Sequence, residues 1–322
     1  MIAAQFPERK LIDLHTHSAL SDGSAAPEDL LAQARRLGIR WLAVADHDSV
    51  GSYPRCDGIA AEAGIGLIPA VEITSVNPMD GAPLHILGYG VGPNSSEALE
   101  SELAGVRQAR TDWYRRGVQR LRAEGYQVTW TEVLKHATGG DVHRVHVMHA
   151  LAVAGYTTRF KGYLYHEMSK PGAPLYGHVG YLNPDRAIDL IHQNSGVAVL
   201  AHPAIAGAIA ACDLLVEMGI DGIEAFHPSH TPLVVEQALA LARGHRLVVT
   251  GGSDYHGLYS EYDTTLGCPE LTLENVEDLL ARIHAIGRID VTASPGNGDP
   301  DLPAAAPAVS PDHPLLRLPS RG

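Results

Sequence analysis

The chain has 322 residues, 45% hydrophobic and 19% charged, and its 24 Lys and Arg against 37 Asp and Glu leave a formal charge of −13. That balance fits one large soluble domain, or one domain carrying an insertion, and it excludes a general nucleic-acid coat, which would be basic. No apolar run approaches the roughly 20 residues of a membrane span, and the opening residues lack a basic region followed by a hydrophobic stretch, so no signal peptide and no membrane partner are expected.

Cys56, Cys212 and Cys268 are scattered thiols without metal-ligand spacing, which suits a reducing cytoplasm. The 18 histidines stand out beside an aromatic content of 6%. They are too many for core filling alone.

In chain order, the first apolar run predicts a strand over 11–15 that ends in Asp13-Leu14-His15-Thr16-His17. Alternate strand residues point the same way, so His15 and His17 leave the strand end side by side. Asp22 follows in a Ser21-Asp22-Gly23 turn. A helix is predicted over 27–37, with Pro27 as a start signal and Gly38 as a stop. The strand at 41–45 runs into Asp46-His47-Asp48, the strand at 67–71 into Glu72, and the strand at 84–89 carries His85.

The rhythm then breaks. Residues 95–183 are richer in Arg, His and Glu, with helical stretches at 96–124, 131–137 and 145–154 and no convincing strand. They read as a helical insertion between the fourth and fifth strands that caps the strand ends. After it, helices at 185–193, 206–218 and 232–243 alternate with strands at 197–201, 222–226 and 247–250. These strands lead into His202, into His227 and His230, and into Asp254 and His256 respectively. Unalternating apolar strands between helices predict a parallel sheet or barrel. The divisions are therefore 1–94 and 184–294 for the β/α unit, 95–183 for the insertion, and a disordered tail at 295–322, rich in Pro, Ala and Asp.

Taken singly, a histidine at a strand end is more often a hydrogen-bonded rim residue than a ligand, and Asp-Gly turns are commonly just turns. Nine donors on one face form a different case: His15, His17, Asp22, His47, Glu72, His85, His202, Asp254 and His256. Gathered without cations, they would suffer desolvation and like-charge repulsion. Imidazole and carboxylate without thiolate suit Mn²⁺, Fe²⁺ or Zn²⁺, and the sequence does not choose among them. Glu72 is the natural bridge between two ions, and paired ions generate a bridging hydroxide that attacks phosphorus. Asp46 and Asp48 are expected to orient the ligand imidazoles.

These elements resemble the PHP superfamily, named for polymerase and histidinol phosphatase. The matching segments are Asp13-Leu14-His15-Thr16-His17, Ser21-Asp22-Gly23, Ala45-Asp46-His47-Asp48, Val71-Glu72-Ile73, His85-Ile86-Leu87-Gly88, Ala201-His202-Pro203 and Gly252-Ser253-Asp254-Tyr255-His256-Gly257. The resemblance implies an α/β fold, a distorted seven-stranded (β/α) barrel, with three divalent metal ions, manganese first and zinc or iron as alternatives. It implies that His15, His17, Glu72 and Asp254 hold one ion, that Glu72, His85 and His202 hold the second, and that Asp22, His47 and His256 hold the third. His15, His17, Glu72, His202 and Asp254 would carry the catalysis.

Within the superfamily the chain is most similar to phosphoesterases acting on nucleoside 3′,5′-bisphosphates and on 5′ ends of short RNA. Their Gly-Arg-Pro-His segment compares with His143-Arg144-Val145-His146 here, where only the Arg and the final His match. The resemblance implies that Arg144 and His146 hold a substrate phosphate; the structural alternative for Arg144 is a cap or ion pair within the insertion. Lys161, Tyr176 and His178 would line the pocket mouth, and His227 and His230 would contact substrate or protonate a leaving group, or simply pack. His136, His149, His166, His192, His245, His284 and His313 fall away from strand ends and are assigned no chemistry.

The expected function is a cytoplasmic phosphoesterase acting on a nucleotide or short oligonucleotide. An acidic surface disfavours long duplexes. The alternatives are a histidinol-phosphate-type or sugar phosphatase, a cyclic nucleotide phosphodiesterase, and a metal-binding regulatory domain without catalysis.

Overall fold

A computed structural model describes residues 12–286 except 93, 94, 178, 263 and 269. His178 and the segment 295–322 therefore lie outside the described residues. β1 (Ile12–Thr16), β2 (Trp41–Val44) and β3 (Gly66–Leu67) form a three-stranded parallel sheet, crossed over by α1 (Pro27–Leu37) and α2 (Tyr53–Ala63). α1 begins on Pro27, where a missing N–H removes no helical bond. It ends on Gly38 at φ 76°, whose N–H turns back to the Ala34 and Arg35 carbonyls.

The run predicted as one strand over 67–71 is divided at Pro69, which has no N–H for a ladder. β3 stops at Leu67, and β4 (Ala70–Val76) opens a second sheet. A hairpin then reverses the chain. The Asn77 side chain accepts from the Met79 N–H at 3.0 Å, Gly81 takes φ 74°, and β5 (Pro83–Tyr89) returns antiparallel to β4. The parallel order expected here is thus not the one formed. Because β5 runs backwards, His85 near its start reaches the same edge as the C-terminal ends of its neighbours.

α3 (Glu97–Ala123), α4 (Trp130–Leu134), α5 (Arg144–Val153) and α6 (Tyr163–Glu167) follow. They close on a core of their own that includes Tyr114, Leu121, Val147, Met148 and Leu151. Buried Arg110 of α3 forms an ion pair with Asp48, and Arg107 donates to the Asp48 carbonyl at 2.6 Å. These contacts fasten α3 to the loop after β2.

α7 (Pro184–Gln193) leads to β6 (Val197–Leu200), which is antiparallel to β5 and parallel to β7 (Gly222–Phe226). The helix predicted over 206–218 is interrupted: Ala206 and Gly207 take φ 51° and 67°, and a 3₁₀ stretch precedes α8 (Cys212–Glu217). α9 (Pro232–His245) connects β7 to its parallel partner β8 (Val248–Gly251), and α10 (Leu273–Ile286) ends the described chain.

The second sheet has the order β4-β5-β6-β7-β8. The architecture is therefore mixed α/β with sheets of three and five strands, and among the described residues no closed barrel of seven strands forms. A two-residue β3 followed by Pro69 offers no ladder to β4. The sheets meet through isolated bridges, Thr16 to Tyr255 and His47 to Glu72, and through backbone hydrogen bonds such as those from the Asp254 N–H to the His15 carbonyl at 2.9 Å and from the Asp48 N–H to the Glu72 carbonyl at 2.8 Å. Leu14, Ala43, Leu87, Tyr89, Val197 and Val199 fill the space between the sheets, and the Tyr89 hydroxyl donates across it to the Leu14 carbonyl at 2.8 Å. Both bridges fall where the ligand-type residues cluster.

Candidate metal centre

Glu72, buried on β4, touches five imidazoles with one carboxylate. Its Oε2 lies 3.3 Å from His15 Nε2, 3.2 Å from His17 Nε2 and 3.0 Å from His47 Nδ1. Its Oε1 lies 3.0 Å from His85 Nδ1 and 2.9 Å from His202 Nε2. The two oxygens thus face different histidine groups, as a bridging carboxylate requires.

Backbone constraints hold the surrounding residues in place. The loop after β8 passes so near β1 that a Cβ on Gly252 would stand 2.3 Å from His15 Cβ, and one on Gly23 would stand 2.3 Å from the His17 carbonyl oxygen. Only glycine admits either approach. His202 and Asp254 have φ 26° and 49°, a sparsely populated region that persists where the surroundings dictate it. Here the His202 N–H is bound by Glu224 Oε2 at 2.7 Å, and the Asp254 N–H by the His15 carbonyl.

Four donor groups converge tightly enough to hold a cation: His17, Asp22, His47 and His256; His15, Glu72 and His202; His15, His17 and Asp254; and His47, Glu72 and His85. All nine residues expected as ligands are among them. Asp22 Oδ1 is 3.2 Å from His256 Nε2, and Asp254 Oδ1 is 3.2 Å from His17 Nε2.

Burial by itself would raise all three carboxyls, but the imidazoles override it. His47, His85 and His15 hold Glu72 well below its ordinary value, His256 and His47 do the same for Asp22, and His256 and His17 for Asp254. Burial pushes His47 well down. His17 runs the other way: against its burial, hydrogen bonds to Asp254 and Glu72 raise it to about 10.

The donor set fits divalent cations. Among the described residues, buried His17 Nδ1 has no hydrogen-bond partner, and His47 Nδ1 and Glu72 Oε2 face each other at 3.0 Å without a well-aligned hydrogen bond, which is costly for polar atoms unless something binds them. His15 Nδ1 lies 3.1 Å from Glu224 Oε1. A carboxylate only accepts, so Nδ1 carries the proton and Nε2 keeps a lone pair for a metal. Cations in these positions would displace the protons that the carboxylates otherwise attract.

Glu224 escapes sequence reasoning, because it sits mid-strand in an apolar run, and a buried acid within such a run is its only signal. It orients His15, the role expected of Asp46 and Asp48. Those two are corrected by the structure: Asp46 accepts from the Ser18 N–H and from the Ser18, Ser21 and Ser52 hydroxyls, and Asp48 accepts from the Thr74 N–H and hydroxyl and from Arg110. Both staple loops, and among the described residues neither is bonded to an imidazole. Glu224→Gln is expected to lower metal affinity or kcat/KM about 10- to 100-fold with the fold retained, as loss of a ligand-orienting carboxylate does; calorimetric metal titration and steady-state assay check it.

The residues expected on the substrate side are more dispersed. Arg144 lines a cavity of about 200 Å³ together with Asp22, His47, His85 and Tyr165. It donates to Ser169 Oγ, its guanidinium lies 5.1 Å from the Tyr165 ring centroid, and its Nε is buried without a partner. His146 is turned away: its Nδ1 accepts from the His143 N–H at 3.0 Å. Lys161 lines an adjoining cavity with Phe160, Glu261 and Tyr262; burial opposes its charge, but Tyr165, Asp22, Asp254 and Glu261 raise its pKa.

His227 sits on a ligand-type residue, with Nε2 3.3 Å from Asp254 Oδ2 and Nδ1 accepting from the Ser229 N–H at 3.0 Å. His230 lies behind it, its Nδ1 2.8 Å from the Ala225 carbonyl. Tyr176 is exposed. Among the basic side chains and imidazoles of that cavity, Arg110 and His143 were not anticipated. His143 stacks on His47 with centroids 5.6 Å apart. Burial, then the Arg110 charge, pushes its imidazole well below the ordinary range.

Known proteins share this arrangement of sequence. The PHP domain family matches residues 13–196. Over 253 residues the chain is 34% identical to the phosphoribosyl 1,2-cyclic phosphate 1,2-diphosphodiesterase of Eggerthella lenta, covering 77% of this chain and 94% of that protein. It is 29% identical over 255 residues to the 3′,5′-nucleoside bisphosphate phosphatase of Chromobacterium violaceum, covering 76% and 87%. A solved structure from Bifidobacterium adolescentis, assigned as a metal-dependent phosphoesterase, superposes with a TM-score of 0.75 at 28% identity, covering 84% of this chain and 96% of that one. With the family matched over more than half of its length and the imidazole–carboxylate cluster assembled, the chain belongs to the PHP family and is a metal-dependent phosphoesterase.

Proposed function

We propose that the protein is a cytoplasmic phosphatase for a small ribose-based substrate with two phosphate groups, a nucleoside 3′,5′-bisphosphate first of all. The observation that carries this reading is Arg144: a half-buried guanidinium whose Nε is buried, with no carboxylate partner among the described residues, in one cavity with Asp22, His47 and His85. A half-buried cation so placed suits a bound anion, and its planar fork donates two hydrogen bonds to a phosphate.

In this reading His15, His17, Glu72 and Asp254 hold one ion, Glu72, His85 and His202 a second, and Asp22, His47 and His256 a third, with manganese first and zinc or iron as alternatives. Such ions, when bound, would supply a water-derived nucleophile at neutral pH and positive charge for the non-bridging phosphate oxygens. Arg144 anchors the phosphate that is not cleaved and so aligns the other with the cluster. His227, its Nδ1 occupied by the Ser229 N–H, directs Nε2–H at Asp254 Oδ2 and steadies that carboxylate. Lys161 adds positive charge at the mouth. Helices α3–α6, within 95–183, form the cap over the metal-bearing unit of 1–94 and 184–294. Short 5′-phosphorylated RNA fits the same two-anchor arrangement.

A second reading has its own support. The Eggerthella lenta relative is named for a phosphoribosyl cyclic phosphate, which also bears two phosphate groups on one ribose. A cyclic ester at the cluster with its partner phosphate on Arg144 uses the same residues.

The test is a turnover screen of Mn²⁺-loaded protein against nucleoside 3′,5′-bisphosphates, ribosyl and nucleoside cyclic phosphates, histidinol phosphate and 5′-phosphorylated dinucleotides. The bisphosphates are expected to have the highest kcat/KM. A preference for a cyclic phosphate transfers the assignment to the second reading, and a preference for an ester with one phosphate, such as histidinol phosphate, removes both.

A further inference from the structure

We propose that His143, rather than His146, is the imidazole of the 143–146 segment that contacts the substrate, as a fixed neutral N–H donor to an oxygen of a phosphate bound beside Arg144. The inference rests on the reading that this cavity takes phosphate, and it adds a residue that neither the sequence motif nor the ligand cluster contains.

The start of α5 sorts the two rings. His143 is the residue before the helix, in extended backbone at φ −110° and ψ 168°. Its N–H is accepted by His146 Nδ1 at 3.0 Å, and the His146 N–H goes to the His143 carbonyl at 3.1 Å. His146 is thereby used as a helix cap, with its ring edge-on to Tyr259 at 5.8 Å between centroids. His143 instead reaches the cavity that holds Asp22, His47, His85 and Arg144.

Its tautomer follows from donor counting. Arg110 Nη1 is 2.9 Å from His143 Nε2, and a guanidinium can only donate. Nε2 therefore accepts, and the ring hydrogen is on Nδ1. Arg110 is itself fixed by Asp48 and by Thr74 Oγ1, the latter at 3.3 Å, so the ring is not free to reverse this role. His143 Nδ1 stands 3.9 Å from Asp22 Oδ2, beyond hydrogen-bonding reach. With one nitrogen taken by Arg110 and the other protonated, His143 has no lone pair to give a metal, although it stacks on His47. It has one N–H facing the ligand cluster. A phosphate held by Arg144 supplies the matching acceptor.

Wild type, His143→Leu and His143→Asn are compared, leucine filling the space without a donor and asparagine restoring an N–H near the place of Nδ1. Three quantities are measured on Mn²⁺-loaded protein: bound metal by elemental analysis, affinity for inorganic phosphate by calorimetry, and KM and kcat on whichever phosphate ester the wild type hydrolyses. Metal content is expected to be equal in all three. Leucine is expected to weaken phosphate binding and raise KM by roughly 10-fold or more, the size of one hydrogen bond to a charged group, and asparagine to recover most of that loss.

Loss of metal in both variants would make His143 a ligand and overturn the proposal. So would unchanged phosphate affinity and KM in the leucine variant, or equal losses in both variants, which would make the ring a packing element. If His143→Leu does not fold, His143→Asn alone decides, through near-wild-type phosphate affinity against a full loss. Should the bisphosphate reading fail, the wild type will leave bisphosphates intact while still binding inorganic phosphate, so the two failures are distinguishable.

Discussion

Glu72→Gln is expected to reduce kcat/KM on any phosphate ester by about a thousandfold or more and to strip metal from the protein, while circular dichroism stays that of the wild type. The substitution keeps shape and burial but removes the charge that faces His15, His17 and His47 through one oxygen and His85 and His202 through the other. A neutral amide cannot bridge two cations. The magnitude follows from the several kcal/mol of charge stabilisation that bound ions supply, at about 1.4 kcal/mol per decade of rate. Elemental analysis and steady-state assay read the two effects separately. Full metal content with full activity would remove Glu72 from the centre.

Arg144→Ala is expected to act selectively. For a substrate with two phosphates, truncating one partner of a hydrogen-bonded charge pair that the bound substrate closes off from water costs about 2 kcal/mol, the low end for such pairs because Arg144 is only half-buried, so kcat/KM should fall by ~30-fold. Hydrolysis of p-nitrophenyl phosphate, which has no second phosphate to anchor, should change by less than about threefold. The contrast matters more than either figure. Equal losses on both substrates would place Arg144 with the ligand cluster or with the stability of the helical segment, where its neighbours Ser169 and Tyr165 lie.

What could be read from the sequence depended on whether function left a local pattern. His15, His17, Asp22, His47, Asp254 and His256 each lie in an apolar run or follow one within a few residues, which marks them in the sequence as strand-end residues. The structure does gather them. Glu224, Arg110 and His143 leave no such pattern: one interrupts an apolar strand, one lies on an amphipathic helix rich in arginine, and one precedes a helix. Their roles come from long-range contacts such as Glu224 with His15 and Arg110 with Asp48, which no local spacing encodes. Asp46 and Asp48 show the opposite error. Their adjacency to His47 suggests orientation of imidazoles, yet short hydroxyl and amide partners nearby were the better-placed donors.

The fold divides similarly. α1, α7 and α9 carry clear start signals at Pro27, Pro184 and Pro232 and form within a residue or two of expectation. The closed barrel fails on two features that the sequence displays. Pro69 breaks a strand, and the Asp80-Gly81 turn reverses β5, but the surrounding strand–helix rhythm favours parallel order. His85 illustrates the consequence, since it serves the centre from near the start of a strand rather than from its end.

The imidazole–carboxylate cluster between the two sheets is proposed to hold several divalent ions that together hydrolyse phosphate esters. Stepwise reloading of chelator-stripped protein with Mn²⁺, with phosphate release and bound metal measured at each step, decides this. Stripped protein is expected to release no phosphate, and activity to return as bound metal rises beyond one ion per chain towards three. Turnover by metal-free protein, or no turnover of any phosphate ester at full metal occupancy, would remove the metal centre from the chemistry.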